Sequence, residues 1–238
     1  GFSIDLTDQR DAEHVDYLSV YRSKMTAFEA AFQVFLKLKA SSKRRREFET
    51  FIKINGEALQ NHALFDALFE TLPKSKQTYD GWKNFPKKYA DPHSKASQKF
   101  RESHANRIKF YAYLQWVAET QLENAQSRAK AAGMRIGLYL DFAVGIVPGG
   151  AGVWHDKTAF AENVSLGAPG DMANPDGQMW NLAPFNPHIL AQNNYEPYRG
   201  ALRKAMSLGG AIRIDHILGH LRSFWIPDGG SGGYVRYP

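Results

Sequence analysis

Residues 134–141 read MRIGLYLD and residues 211–217 read AIRIDHI, and the fold class is predicted from these two segments. In both, apolar side chains alternate with small, polar or charged ones. That two-residue period is typical of a β-strand with one face against a core. Each stretch also carries an aspartate at or near its end, Asp141 in the first and Asp215 in the second. The sequence therefore predicts two strands that each carry an aspartate carboxylate at or near the end.

The chain between these strands predicts that they pair in parallel. A Gly-, Pro- and Asn-rich stretch covers residues 145–194, and a helix is predicted over 197–208 before Gly209-Gly210. A strand, a crossover helix and a second strand form a βαβ unit. Connections in such units usually have only ~2–6 residues, so we expect residues 145–194 to be a structureless lid or binding loop. Two strands do not complete a parallel sheet, and we expect further strands outside this chain; the alternative is that the helical half contains strands which its pattern does not reveal.

The first half of the chain is predicted to be helical. Apolar residues recur at three- and four-residue spacing, which is the period of an amphipathic helix. The predicted helices cover residues 16–39, 43–54, 58–70 and 99–132, and a loop covers residues 74–97. We therefore divide the chain into a helical subdomain, residues 1–98, and an α/β segment, residues 99–238.

Composition bounds the class of protein. The chain has 238 residues, of which 43% are hydrophobic, so it can build a core. It has no cysteine, which excludes disulfides and thiolate metal sites. No apolar run reaches the ~20 residues of a membrane-spanning helix, and we expect no membrane contact and a cytoplasmic location. Because the first residue is Gly1 rather than methionine, we also expect a piece of a longer protein.

The net charge of +6 raises the question of a nucleic-acid partner. The densest basic cluster is KRRR at residues 43–46, which lies within helical apolar spacing and is interpreted as a solvated helix face or turn. No zinc-finger, helix-turn-helix or RNA-binding pattern accompanies it. The sequence therefore predicts no nucleic-acid partner, and steeply salt-dependent DNA binding stays open as the alternative.

Strand alternation places Arg213 and Asp215 on the same face, opposite the apolar side chains. Burying such an ion pair costs several kcal/mol per ion, so stability alone explains it poorly. An adjacent guanidinium favours the ionised carboxylate that a nucleophile requires. Asp141 at the end of the other strand supports a catalytic interpretation, because active sites of (β/α)8 enzymes gather at the carboxyl ends of the strands. A structural ion pair at a sheet edge is the alternative.

The connection between the strands indicates sugar binding. Trp154, Asp171 and the stretch around Trp180 alternate aromatic faces with amides and carboxylates, the mixture that stacks on sugar rings and bonds their hydroxyls. The alternative for each tryptophan is a core position. His216 and His220 straddle a strand end rather than one helix face, so we expect no zinc site; His216 is interpreted as a hydrogen-bond donor to substrate.

Four consecutive blocks of the sequence resemble the bacterial amylomaltases, the 4-alpha-glucanotransferases of the alpha-amylase clan. The order and spacing of the blocks hold from about residue 111 to residue 238, and a weaker match covers residues 16–35. The blocks are IGLYLDFAVG at 136–145, GAPGD at 167–171, GQMW at 177–180 and AIRIDH at 211–216.

The resemblance implies an α/β fold, part of a (β/α)8 barrel with a largely helical N-terminal insertion. It also implies transfer of α-1,4-glucan segments between maltooligosaccharides, with no cofactor and no metal. Carried over by position, Asp215 is the nucleophile and Arg213 holds it ionised. Asp141 and His216 bind the sugar before the scissile bond. Trp180 and Asp171 belong to the loop that covers bound glucan.

This sequence departs from the family pattern at three positions. Members commonly have Arg at Leu140, Pro at Gly170 and Gly at Asn181. The resemblance also implies a general acid/base that follows the next barrel strand, beyond this chain, so we expect the chain alone to be inactive. An α-glucan hydrolase and a non-catalytic glucan-binding module are the alternative functions. The sequence gives no indication of oligomeric state.

Overall fold

The structure is a computed structural model and describes residues 3–238. A helical layer comes first, followed by mixed helices and strands. The helices are α1 Thr7–Asp11, α2 Tyr17–Leu36, α3 Lys43–Thr71, α4 Lys95–Ser103, α5 Ala105–Ala131, α6 Ala151–His155, α7 Pro187–Gln192 and α8 Glu196–Leu208. The strands are β1 Tyr139–Phe142, β2 Val164–Ala168, β3 Gln178–Leu182, β4 Ala211–Ile214, β5 Arg222–Pro227 and β6 Gly233–Arg236.

The helical layer is built around an aromatic core. Apolar positions of α2, α3 and α5 face one another because their helical period places them on single faces. Phe48 has no exposed surface, and its ring meets that of Phe35 edge-on at 5.3 Å. The other aromatic members from these helices are Phe32, Phe51, Phe65, Phe110, Tyr111, Tyr113 and Trp116. Over residues 3–238, no helix combines the length and apolar character needed to cross a membrane.

The predicted interruption near Gly56 is confirmed. Helix α3 consists of two helical runs on either side of Gly56, whose backbone leaves helical geometry with a φ of 51°, a value that glycine adopts without strain. The prediction of one helix over residues 99–132 is wrong. This stretch belongs to two helices, because His104 departs from helical geometry between α4 and α5.

The basic cluster at residues 43–46 forms the first turn of α3, as expected for a helix face. Two of its guanidinium groups lie over aromatic rings of the core: Arg44 over Trp116 at 4.7 Å, and Arg45 over Phe35 at 5.2 Å. Lys43 and Arg45 also pair with glutamates one turn along the helix. These contacts give the basic residues a packing role within the helical layer.

The predicted parallel pair is confirmed: β1 and β4 are parallel neighbours. Helix α8 connects into β4 and packs on both strands, as a βαβ unit requires. Strand β1 is shorter than the alternation of residues 134–141 suggests. Gly137 takes a φ of 79°, and the Gln126 side chain bonds the backbone of Ile136 and Leu138 in place of a neighbouring strand.

The prediction that residues 145–194 are structureless is wrong. This segment contains α6, β2, β3 and α7. Strands β2 and β3 join β5 and β6 in a four-stranded antiparallel sheet of order β3-β2-β5-β6. Strands β2 and β3 were not predicted because they lie among glycines, prolines and asparagines, which favour turns.

Helix α6 connects the two parts of the chain. Trp154 on α6 is only 1% exposed and packs edge-on against Phe65 and Phe85 of the helical layer. Its indole N–H donates to the Tyr89 carbonyl oxygen at 3.0 Å. The interpretation of Trp154 as a sugar platform is therefore wrong, and the alternative of a core residue is confirmed.

Just before α6, Gly149 lies directly against the backbone of Tyr79 and Asp80. A Cβ atom at Gly149 would overlap their carbonyl groups, which have no flexible end that could move away. We expect Gly149→Ala to lower the free energy of unfolding by about 1–3 kcal/mol, measured by chemical denaturation. Gly200→Ala is the control, because its Cβ would meet no atom within 4 Å and it lies inside α8. Equal stability of Gly149→Ala and the wild type would contradict this contact.

Candidate functional site

The carboxyl ends of β1 and β4 bring three charged side chains together. The parallel register places Asp141 opposite Arg213. Arg213 contacts Asp141 Oδ1 through Nη1 and Asp215 Oδ2 through Nη2, both at 3.0 Å. The hydrogen bond that Arg213 donates to Asp141, and then the charges of Asp141 and Asp215, raise the pKa of the guanidinium. The predicted placement of Arg213 and Asp215 on one face is confirmed, with Asp141 beside them.

The Arg213–Asp215 ion pair is only half-buried over residues 3–238. The Arg213 side chain is 49% exposed and that of Asp215 is 47% exposed. The strand ends open towards solvent, so the cost of desolvation does not apply to the pair as described. The geometry of the Arg213–Asp215 pair is what matters for a functional site, because a carboxylate held by a fixed guanidinium keeps its oxygens in one position.

His216 directly follows Asp215 in a left-handed conformation with a φ of 48°. Its backbone N–H donates to Asp215 Oδ1 at 3.0 Å, and its Nε2 lies 3.9 Å from Asp215 Oδ2. Left-handed backbone is uncommon for residues other than glycine and often occurs at functional sites. The turn therefore aims the imidazole at the same region as the Asp215 carboxylate.

Trp180 reaches this region from the antiparallel sheet. Its ring lies 4.6 Å from the His216 ring, centroid to centroid, and its indole N–H donates to Gln178 Oε1 at 3.1 Å. Pairing between β2 and β3 passes from Gly167–Met179 to Leu166–Leu182, so Trp180 and Asn181 form a bulge in β3. Bulges often re-aim a side chain beside an active site.

Asn181 within the bulge takes a left-handed φ of 55°. Glycine and asparagine are the residues that adopt this conformation most readily. The departure from the family's glycine at Asn181 is therefore compatible with the backbone of the bulge.

An open cavity of about 1150 Å³ lies between the ends of β1 and β4 and the antiparallel sheet. Asp215, His216 and Trp180 line it together with a set of aromatic side chains. The set consists of Phe142, Phe185, Tyr195, Tyr198, Phe224, Tyr234 and Tyr237. Aromatic walls with a few convergent polar groups are typical of a ligand site.

The aromatic residues of β5 and β6 were not predicted as part of the site. One signal could have found them, because residues 222–227 and 233–236 are rich in aromatic and β-branched side chains and flank a turn containing Asp228-Gly229-Gly230. That pattern is typical of a β-hairpin. His220, which had no predicted role, lies in the cavity wall with its Nε2 bonded to the Tyr198 hydroxyl.

Asp171 does not line the cavity. Its Oδ1 accepts from the backbone N–H groups of Ala173 and Asn174 at 2.8 and 2.7 Å, which closes the turn between β2 and β3. Among residues 3–238, no three histidine, aspartate or glutamate side chains are grouped so that they could hold a metal ion.

Parallel strands that end in fixed charges beside an aromatic cavity define an α/β protein with an enzyme-like site. The sequence profile of the family described as 4-alpha-glucanotransferase matches residues 3–238, and the chain belongs to this family. It is 35% identical to the 4-alpha-glucanotransferase of Haemophilus influenzae over 96% of this chain and 34% of the relative. It is 37% identical to that of Mycobacterium bovis over 94% of this chain and 31% of the relative.

Two solved structures resemble this chain. The amylomaltase of Corynebacterium glutamicum has a TM-score of 0.73 and 32% identity, and the match covers 92% of this chain and 28% of that one. The amylomaltase of Streptococcus agalactiae, solved in complex with acarbose, has a TM-score of 0.81, and the match covers 99% of this chain and 49% of that one. At 19% identity the second likeness concerns the fold alone. The chain spans about a third of the length of the two curated relatives.

Proposed function

We propose that the full-length protein containing this chain transfers α-1,4-glucan segments between maltooligosaccharides by a retaining, double-displacement mechanism. The observation that carries the proposal is the Arg213–Asp215 ion pair at the end of β4, of which Asp215 lines a cavity shared with Trp180 and His216, while Arg213 and Asp141 lie outside the cavity lining. Membership of the 4-alpha-glucanotransferase family supports the same activity. The (β/α)8 barrel, with β1 and β4 as two of its strands, and a cytoplasmic location remain predictions.

In the first step, an Asp215 carboxylate oxygen forms a bond to the anomeric carbon while the bond to the leaving sugar breaks. Arg213 fixes the attacking carboxylate through its contact with Asp215 Oδ2 at 3.0 Å. Asp141 and His216 contact the sugar before the scissile bond. In the second step, a hydroxyl of an acceptor glucan displaces Asp215, and the anomeric configuration is retained.

Retaining chemistry also requires a second carboxyl group, ~5–5.5 Å from the nucleophile, that donates a proton to the leaving oxygen and then accepts one from the acceptor. Asp141 shares Arg213 with Asp215, and we assign it to sugar binding rather than to proton transfer. We propose that the acid/base lies outside residues 3–238. The greater length of the relatives supports this.

Transfer instead of hydrolysis requires that the glycosyl-enzyme is shielded from water until an acceptor arrives. Trp180 is the candidate shield, because it lies against His216 at the cavity wall. Asp171, which closes the turn between β2 and β3, is proposed to shape the same cover. The hydrolysis-to-transfer ratio is therefore the property that depends on this part of the chain.

We expect Trp180→Ala in the full-length enzyme to raise the ratio of hydrolysis to transfer about tenfold, since an exposed intermediate reacts with water. Chromatography of the products from maltotriose, with glucose release measured in parallel, gives this ratio. Trp180→Phe serves as the matched variant, because it keeps an aromatic face and is expected to stay near the wild-type ratio. An unchanged ratio in Trp180→Ala would remove Trp180 from the shielding role.

The proposed function itself is tested by incubating the full-length protein and residues 1–238 separately with maltotriose. We expect the full-length protein to produce glucose and longer oligosaccharides, and residues 1–238 to produce neither. Glucose without longer products from the full-length protein would favour an α-glucan hydrolase. Glucan binding without any turnover would favour a non-catalytic binding module. Equal activity of the two samples would refute the proposal that the acid/base lies outside residues 3–238.

A further inference from the structure

The bulge in β3 leaves a backbone carbonyl that its sheet does not use. In the register between β2 and β3, Trp180 and Asn181 lie between the paired positions Met179 and Leu182. A carbonyl group without a partner costs free energy when water is excluded from it, as would happen under bound glucan. The Asn181 carbonyl accepts a hydrogen bond from the hydroxyl of Tyr79 in the helical layer. This contact joins residues 102 positions apart in the sequence.

The backbone around Tyr79 is held firmly against the loop before α6. The Trp82 backbone N–H donates to the Gly149 carbonyl oxygen at 3.0 Å, and its indole N–H donates to the Pro148 carbonyl oxygen at 2.9 Å. Lys157 Nζ lies 4.3 Å above the Trp82 ring. Because this turn is fixed at its base, the Tyr79 hydroxyl is presented from a stationary support although the side chain is 54% exposed.

We propose that Tyr79 is a positioning residue that fixes the bulge of β3 and thereby the orientation of Trp180. The contacts form a continuous chain: Tyr79 bonds Asn181, Trp180 precedes Asn181, and the Trp180 ring lies against His216 next to Asp215. The inference rests on the proposed function only where catalysis is the readout. Through the Tyr79 hydroxyl, the helical layer controls how Trp180 covers the glycosyl-enzyme.

Removing this hydroxyl leaves the bulge free to shift, and water then reaches the intermediate more often. A single hydrogen bond of ordinary strength corresponds to a change of about two- to tenfold in an equilibrium. We expect Tyr79→Phe in the full-length enzyme to raise the hydrolysis-to-transfer ratio by about two- to tenfold, and to raise KM for the acceptor sugar more than it lowers kcat. A purely structural role would alter thermal stability without moving this ratio.

Four variants test the proposal: Tyr79→Phe, Trp180→Ala, the double variant and Tyr17→Phe. The first three form a double-mutant cycle on the hydrolysis-to-transfer ratio. If Tyr79 acts through Trp180, then Tyr79→Phe has no further effect in the Trp180→Ala background. Tyr17→Phe is the matched control, because Tyr17 is 81% exposed at the start of α2 and is expected to behave as the wild type. Equal effects of Tyr79→Phe in both backgrounds, or none in either, would overturn the proposal.

Hydrogen–deuterium exchange provides a readout that does not depend on catalysis. We expect Tyr79→Phe to accelerate exchange in peptides that cover residues 178–183, while peptides from α5 keep the wild-type rate. Unchanged exchange in residues 178–183 would overturn the positioning role even if the enzyme transfers glucan. If the wild-type enzyme produces no longer oligosaccharides but exchange still accelerates, the proposed function fails and the positioning role of Tyr79 stands.

Discussion

Asp215→Asn in the full-length enzyme is expected to lower kcat for maltotriose disproportionation by about 10⁴-fold or more. Asparagine has the shape of aspartate, so the turn at His216 and the contact with Arg213 can persist. Its amide does not form the bond to the anomeric carbon on which the proposed double displacement depends. The variant should therefore bind maltooligosaccharides nearly as well as the wild type and turn them over hardly at all. Initial rates and equilibrium binding measured on the same samples separate the two effects.

The control for this substitution is Asp228→Asn. Asp228 lies exposed in the turn between β5 and β6, away from the Arg213 guanidinium, and its loss should leave both rate and binding unchanged. An Asp215→Asn variant that retains more than a few per cent of the wild-type kcat would show that another group is the nucleophile.

The largest loss of stability is expected for Trp154→Ala. Truncating a fully buried large aromatic side chain typically costs about 3–5 kcal/mol of unfolding free energy. Trp154 is 1% exposed, contacts Phe65 and Phe85, and satisfies the Tyr89 carbonyl, so the helical layer and α6 both lose contacts. Urea denaturation followed by circular dichroism measures this loss without depending on tryptophan emission.

Two further variants serve as comparisons for the unfolding free energy of Trp154→Ala. Trp154→Phe keeps an aromatic ring and leaves the Tyr89 carbonyl without its donor, so we expect an intermediate loss. Met172→Ala is expected to change nothing, because Met172 is fully exposed in the turn between β2 and β3. A loss below about 1 kcal/mol in Trp154→Ala would mean that α6 contributes little to the join between the two parts of the chain.

Local periodicity was sufficient to predict the long helices α2, α3, α5 and α8 and the βαβ unit, but not the short helices α1, α6 and α7. The helical layer follows a 3.6-residue period that tertiary contacts reinforce, and the pair β1–β4 alternates with a period of two. The ends of the elements were less accessible to sequence. Gly56 interrupts α3 where its propensity predicts, whereas no glycine or proline marks the break between α4 and α5 at His104.

The antiparallel sheet could not be predicted in the same way. Its strand β2 pairs with β5 across more than fifty residues, so no local pattern records the contact. Strand β3 does not alternate, because Trp180 and Asn181 form its bulge. Only the hairpin of β5 and β6 carried a readable signal in its composition and turn residues.

Part of the candidate site could be predicted from the sequence. Alternation alone predicts that Arg213 and Asp215 share a face, and the parallel register then adds Asp141. The contacts around Trp180 could not be predicted from the sequence. Tyr79 reaches the neighbouring Asn181 across 102 positions, and His216 turns towards the Trp180 ring through a left-handed backbone.

Trapping the covalent bond between Asp215 and the sugar tests whether Asp215 is the nucleophile. The full-length enzyme is treated with a fluorinated α-glucosyl fluoride, digested with trypsin and analysed by mass spectrometry. Cleavage after Arg213 and Arg222 releases residues 214–222, in which Asp215 is the only side-chain carboxylate. We expect the mass of one fluoroglucosyl group on this peptide, and its absence in Asp215→Asn. An inactivated enzyme that carries the label on a different peptide would contradict the account.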